Sequence, residues 1–185
     1  MKGKFKIALL LIAVSTLIFL GACGNNSNKD SNNDGESNDG NSSATEQNSD
    51  LGLGDTALIE SVLGDFEVTI ESFEIHETLN GEKSEYDDHV FMIVDFTVNN
   101  VGDEILKGDE ISRPTLFTEE GDRSSNLRSE ESINHLKEEL QAGEEDSGQM
   151  IFQTYDSNNF EINFGYGMTL KTDDVIWKIS RNESN

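Results

Sequence analysis

An antiparallel β-sandwich is the fold predicted for residues 51–185, and three observations predict it. Short runs alternate apolar and polar side chains, turn signals separate those runs, and only one segment carries helical spacing. Strands that alternate in this way each bury one face, and two antiparallel sheets packed face to face bury all of them. Strands do not alternate with long helices, so a doubly wound α/β fold is not expected.

The elements follow in chain order. Thr56 to Glu60 reads as the entry strand. Phe66, Val68 and Ile70 alternate, and Phe73 and Ile75 continue in the opposite phase, so the next strand carries a bulge or bend near Glu71-Ser72. Val90, Met92, Val94, Phe96 and Val98 alternate without a break, with Phe91 and Ile93 on the other face at one end. This is the core strand. Thr115 to Thr118, Gln149 to Tyr155, Phe160 to Phe164 and Val175 to Ile179 complete the set, and Trp177, in step with Val175 and Ile179, is expected in the core. Turns are marked at Asn80-Gly81, Asn99 to Gly102 and Glu120 to Asp122. The helical candidate is Ser129 to Leu140: Ser129-Glu130-Glu131-Ser132 has the form of an N-terminal cap, and Ile133, Leu136 and Leu140 recur at helical spacing. A turn or two of helix is expected there.

The chain has 185 residues, enough for one domain with accessory segments, and a formal net charge of -24. A polyanion such as nucleic acid is a poor partner for it. With a single cysteine no internal disulfide forms, so burial alone holds the fold.

The first 22 residues account for that cysteine. Lys2, Lys4 and Lys6 precede an apolar run from Ile7 to Leu20, the layout of a secretory signal peptide and too short for a membrane span, which needs about 20 residues. Leu20-Gly21-Ala22-Cys23 looks like the lipobox of bacterial lipoproteins. That resemblance implies a diacylglyceryl and acyl lipid on Cys23, palmitate among the acyl groups, with cleavage leaving Cys23 as the first residue of the mature chain. Two or more acyl chains anchor stably where one is marginal. The expected address is the extracellular face of the cell membrane.

Residues 23–50 form the next segment. Beyond Cys23 it is rich in Asn, Ser, Asp and Gly and has no aromatic or branched apolar side chain, so it is expected to be a disordered tether with a reach of about 30 Å. Asp30-Ser31-Asn32-Asn33-Asp34-Gly35 matches the first half of a calcium loop, but Asn41 stands where a bidentate Glu belongs, and the match is set aside. The organisation is therefore signal peptide 1–22, lipidated tether 23–50 and sandwich 51–185.

Three segments of the sandwich carry a family resemblance. They are Gly54-Asp55-Thr56 with Phe66 to Ile75; the core strand running into Asn99-Asn100; and Leu140-Gln141-Ala142-Gly143-Glu144 with Gly148 to Phe152, Phe160 to Ile162 and Trp177. Together they resemble a domain family of unknown function in lipoproteins of Gram-positive bacteria, similar to the mycobacterial immunoprotective extracellular antigen. The resemblance implies an immunoglobulin-like sandwich. It carries no catalytic residues, because its motifs are a turn, core positions and an edge.

Chemistry is sparse. His76, His89 and His135 form no ligand pair of zinc-site spacing, and no Gly-x-Ser-x-Gly elbow occurs. Gly52-Leu53-Gly54-Asp55-Thr56-Ala57 fits a loose dinucleotide pattern without the strand that should precede it. Acidic clusters are the fullest residue sets: Asp87-Asp88, Glu119-Glu120 with Asp122, Glu144-Glu145-Asp146 and Asp173-Asp174. If loops at one end of the sandwich converge, Asp87, Asp88, Asp173 and Asp174 are the weak candidates for calcium ligands; otherwise no metal, cofactor or catalytic residue is expected. A solvated acidic surface explains the same clusters. Phe164-Gly165-Tyr166-Gly167 either presents a tyrosine on a turn or packs it as a corner, and the packed corner is favoured.

The leading functional reading is a membrane-anchored, non-enzymatic interaction module that binds an envelope protein or other envelope ligand. A calcium-responsive module built on the acidic loops is the alternative. An enzyme acting on envelope polymers ranks last, since no two carboxylates are visibly paired.

Overall fold

A computed structural model describes residues 51–185. The signal peptide, the lipobox Leu20-Gly21-Ala22, Cys23, the tether and the set-aside calcium loop lie outside the described residues.

The chain runs β1 (Thr56–Ser61), β2 (Gly64–His76), β3 (Thr78–Leu79), β4 (Glu82–Lys83), β5 (His89–Asn100), β6 (Leu106–Lys107), α1 (Gly108–Ile111), β7 (Thr115–Thr118), β8 (Arg123–Ser125), β9 (Glu139–Leu140), β10 (Glu145–Tyr155), β11 (Asn159–Asn163) and β12 (Ile176–Ser180), closing on a 3-10 turn at Arg181–Glu183. Eight strands make two four-stranded sheets, ordered β1-β2-β5-β10 and β12-β11-β7-β8, with every named strand pair antiparallel. The predicted all-β antiparallel sandwich is the fold observed.

One core joins the sheets. Phe66, Val68, Ile70, Phe96 and Phe152 of the first sheet meet Leu116, Phe160, Ile162 and Trp177 of the second in one fully buried cluster. The core-strand alternation is realised in β5, where Met92, Val94, Phe96 and Val98 are buried on the inner face. The change of phase in β2 is a bulge: Ile70 opposes Phe96 and Ser72 opposes Asp95, so Glu71 has no partner in the register. The extra residue moves the apolar set from the even to the odd positions, keeping both Ile70 and Phe73 inside.

Phe91 packs on the opposite face of β5 with Ile133 and Ile151, and Ile93, Leu79 and Leu127 border this smaller cluster. Here the sequence expectation is corrected. Residues 129–140 are not helical: turns and irregular chain run along the open edge of β10, and only Glu139–Leu140 is regular, as β9. Two interactions outcompete the helix. The edge of β10 needs partners, which Asn134 supplies by accepting from Gln149 N–H at 2.6 Å, and Ile133 is drawn onto Phe91 and Ile151. The helical turn lies at Gly108–Ile111 instead. A Cβ at Gly108 would collide with the Lys137 carbonyl, so only glycine allows this close crossing of two segments.

Asn100 closes one end of the first sheet. Fully buried, it donates through Nδ2 to the carbonyls of Glu104 and Leu140 at 2.8 and 3.0 Å and accepts from Gly102 N–H at 3.1 Å. A buried amide with all three groups paired orders the chain around it. Asn99 and Asn100, expected in a turn, are the last residues of β5, and their pairing explains why they and the Leu140-Gln141-Ala142-Gly143-Glu144 segment occur together: Gly143 N–H donates to Asn100 O, and Asn100 N–H donates to Glu144 O.

Candidate functional site

β10 and β8 are edge strands of their respective sheets, and an open groove of about 710 Å³ lies along them. The sequence holds three tyrosines, Tyr86, Tyr155 and Tyr166, and all three line this groove. They are 62%, 45% and 43% exposed. The phenylalanines behave oppositely. Among the described residues every phenylalanine except Phe117 is buried, and Phe117 also lines the groove.

Each tyrosine is held differently. Tyr155 ends β10, opposite His89 at the start of β5. Its ring lies 4.0 Å from the His89 ring at a tilt of 47°, and the Tyr86 ring lies 5.2 Å from the same imidazole at a tilt of 42°, so His89 contacts both tyrosines. Ser84 positions Tyr86: its Oγ accepts from Tyr86 N–H at 3.0 Å and from the Gln153 amide at 2.6 Å, tying the loop before β5 to β10. His89 donates from Nδ1 to the Asp87 carbonyl at 3.2 Å, which orients the imidazole.

Tyr166 follows β11. The buried Asn163 accepts through Oδ1 from the N–H groups of Gly165 and Tyr166, at 2.7 and 2.8 Å, a side-chain turn that reverses the chain. Its Nδ2 donates to Asp174 Oδ2 at 3.1 Å. Gly165 must be glycine here, because a Cβ would overlap the Asp174 carboxylate. The Tyr166 ring then packs edge-on against Phe117 at 5.3 Å, and Arg123 of β8 lies 5.5 Å from its centroid and donates to its hydroxyl. Sequence reasoning considered this tyrosine and favoured a packed corner. The structure packs Phe164 into the core and leaves Tyr166 in the groove.

The calcium candidates do not come together. Asp88 precedes β5, where its carbonyl accepts from Asp156 N–H beside the link into β11, while Asp173 and Asp174 precede β12 at the far end of β11, opposite Asn163. Asp174 is engaged with Asn163. Among the described residues no three His, Cys, Asp or Glu side chains are grouped so as to hold a metal ion. The histidines are also apart: His76 pairs with Glu74, His89 contacts Tyr86 and Tyr155, and His135 bonds the Glu130 carbonyl. Gly52 to Asp55 forms a tight turn into a strand, where a dinucleotide site needs a helix.

Charge elsewhere is mostly solvated. Residues 51–185 contain nine basic and 31 acidic side chains, a net charge of -22. Glu130, which accepts hydrogen bonds from Ser132 and then from Asn80, has its pKa lowered by them. Self-repulsion of this surface opposes the folded state, so raising monovalent salt to about 0.15 M is expected to raise the melting temperature by a few degrees. A melting temperature that is flat or falls with salt, followed by circular dichroism, would contradict this account.

In chemical terms the groove can stack, make cation–π contacts and donate or accept hydrogen bonds through Ser124, Ser125 and Gln153. Asp122 is the one carboxylate lining it, so no pair of acids is set up for general acid–base work.

Fold and groove together define a β-sandwich with an exposed aromatic groove along one edge. Residues 51–175 match the family described as Domain of unknown function (DUF4352), and the chain belongs to that family. Among solved structures, the chain is similar to the secreted protein MPT63 of Mycobacterium tuberculosis, with 13% identity over 72% of this chain and 99% of that one and a TM-score of 0.51. It is similar to a β-sandwich protein of Clostridium difficile, with 12% identity over 74% and 97% and a TM-score of 0.44. It is also similar to the ycdA protein of Bacillus subtilis, described as a candidate lipoprotein, with 20% identity, 68% of this chain covered, 38% of that chain covered and a TM-score of 0.48. This chain thus spans under half the length of the ycdA protein. No curated protein matches the sequence.

Proposed function

We propose that this protein is a lipid-anchored module of the extracellular membrane face, which holds an envelope ligand in the tyrosine-lined groove and catalyses no reaction. The observation that carries the binding reading is the placement of all three tyrosines, exposed, on one groove. Scattered surface tyrosines need no explanation, but converging ones supply large contact area with little rotamer entropy to lose, the usual make-up of a binding hot spot. The lipobox-like Leu20-Gly21-Ala22-Cys23 and the polar tether support the address: a lipid on Cys23 fixes the chain to the membrane while the domain stands off the headgroups.

Two experiments test the two halves. Cys23→Ala is expected to release the protein into the medium or leave it unprocessed, and normal cleavage with undiminished membrane retention would refute the anchor. Crosslinking in intact cells is expected to trap a saturable envelope ligand on the natural chain, and the pair Tyr86→Ala with Tyr155→Ala is expected to weaken capture about tenfold or more. Both tyrosines are exposed, so the double variant remains folded. Undiminished capture by it would place the binding surface elsewhere.

A further inference from the structure

We infer that the groove takes an extended peptide segment bearing basic side chains; this deepens the binding reading above and rests on it. Charge is the first argument. Glu85, Asp87 and Asp88 flank Tyr86 and His89, Asp122 lines the groove itself, and all four carboxylates are exposed. None of them is ion-paired among the described residues. The one arginine or lysine in the groove wall, Arg123, is committed to Tyr166. Tyr166 is neutral, so Arg123 keeps its charge and offsets that of Asp122 within the wall; the carboxylates of Glu85, Asp87 and Asp88 around Tyr86 and the net charge of -22 on residues 51–185 are what attract an approaching cation and repel an anion.

The second argument is the aromatic surface. Arg123 on Tyr166 shows within the molecule how a guanidinium is accommodated here: over a tyrosine ring, bonded to a hydroxyl. Tyr155 and Tyr86, both in ring contact with His89, are exposed and offer the same kind of ring to an incoming arginine or lysine.

Backbone geometry supplies the third. Ile151 of β10 turns both its N–H and its C=O outward from the sheet, the N–H to Asn126 Oδ1 at 3.0 Å and the C=O to Leu127 N–H at 2.8 Å. Strand geometry repeats every second residue, so Gln153, which lines the groove, turns its N–H and C=O to the same side. β10 is the last strand of its sheet, and β8 on the far wall is the last strand of the other. The edge groups of Gln149 and Ile151 are taken by Asn134, Asn126 and Leu127, so an extended segment aligns with β10 at Gln153, by main-chain hydrogen bonds there, and sends its side chains to the tyrosines.

The test uses the full chain, a short labelled peptide alternating arginine and threonine, and a twin with citrulline at each arginine, which keeps the shape and removes the charge. At about 0.15 M salt the arginine peptide is expected to bind about tenfold or more tightly than its twin by fluorescence anisotropy. Tyr86→Ala with Tyr155→Ala, and separately Asp88→Asn with Asp122→Asn, are each expected to weaken it by about tenfold. Asp88 has a left-handed backbone with φ of 64°, a conformation asparagine also tolerates, so its neutralisation leaves the loop intact. Glu138→Gln with Glu139→Gln, which removes the same charge outside the groove wall, is expected to change binding less than about twofold. Equal loss from the two acidic pairs, with no effect of the tyrosines, would reduce the binding to general surface charge and overturn the inference. No preference for arginine over citrulline, while dependence on the tyrosines persists, would overturn the basic-peptide assignment and leave the groove reading standing. Tyrosine-dependent binding of a neutral N-acetylglucosamine oligomer, with the arginine peptide inert, would make the groove a glycan site and overturn the inference as well.

Discussion

Trp177→Ala is expected to lower the stability of the domain by about 3–5 kcal/mol. Trp177 is fully buried on β12, packs edge-on against Phe164 at 5.5 Å, and donates from Nε1 to the Asp55 carbonyl at 3.0 Å. Its backbone forms a parallel bridge to Leu51, and the next residue, Lys178, donates its N–H to the Leu51 carbonyl at 2.7 Å. One residue therefore fills the core and ties the segment leading into β1, a strand of the first sheet, to the last strand of the second. Truncation leaves a cavity the size of an indole and strips the Asp55 carbonyl of its partner. A domain of ordinary stability has only about 5–15 kcal/mol in total, so the variant stands close to unfolding. Trp177→Phe keeps most of the volume and loses the hydrogen bond, and is expected to cost about 1–3 kcal/mol. Urea unfolding followed by far-ultraviolet circular dichroism measures both, since the only tryptophan is the residue removed. An unchanged midpoint for the alanine variant, at equal m, would show that this residue does not join the sheets.

The parts of this fold legible in the sequence are those where burial imposes a period. β5 alternates because one face is core, and the phase change in β2 was visible because the bulge preserves burial on both sides of it. β8, with the sequence Arg-Ser-Ser, has no apolar face to betray it: it is a short edge strand, recruited by β7 after a tight turn at Glu120 to Asp122. The spacing of Ile133, Leu136 and Leu140 misled for a different reason. Ile133 belongs to the outer cluster and Leu140 to the main core, so their period reflects no shared face. The groove was the least legible feature. Tyr86 lies in a loop, Tyr155 at a strand end and Tyr166 in a turn, and only the pairing of β10 with β5 and of β7 with β8 and β11 brings them to one edge. A signal existed in hindsight: Tyr86 and Tyr166 stand outside the alternating apolar runs that absorb almost every phenylalanine, and Tyr155 is the last residue of one.

Asn163 shows how a structural residue can control that surface, and its replacement carries the other large expected effect. Asn163→Ala removes the acceptor for two N–H groups and the donor to the Asp174 carboxylate in a single change. Gly165 is buried, so its N–H loses its partner without gaining water, and the bond to a carboxylate is of the stronger, charge-assisted kind. The expected cost is about 2–4 kcal/mol. The local consequence is larger than the global one, because without the side-chain turn the chain leaving β11 keeps only the Phe164 bond to Val175, the Thr115 bond to the Tyr166 carbonyl and the Tyr166 ring contacts to direct it toward Phe117 and Arg123. The edge-on Phe117 ring is expected to displace the Tyr166 ring resonances in the natural chain; in the variant they are expected to move toward random-coil values, and groove binding is expected to weaken as Tyr166 and Arg123 part. Asn163→Asp separates the two roles. Its carboxylate still accepts both N–H groups, so the turn and the Tyr166 signals are expected to persist, while repulsion from Asp174 lowers stability above the pH at which both acids ionise. Tyr166 signals that stay at their natural positions in Asn163→Ala would mean that Arg123 and Phe117 hold this tyrosine unaided, and that the groove is assembled from β8 alone.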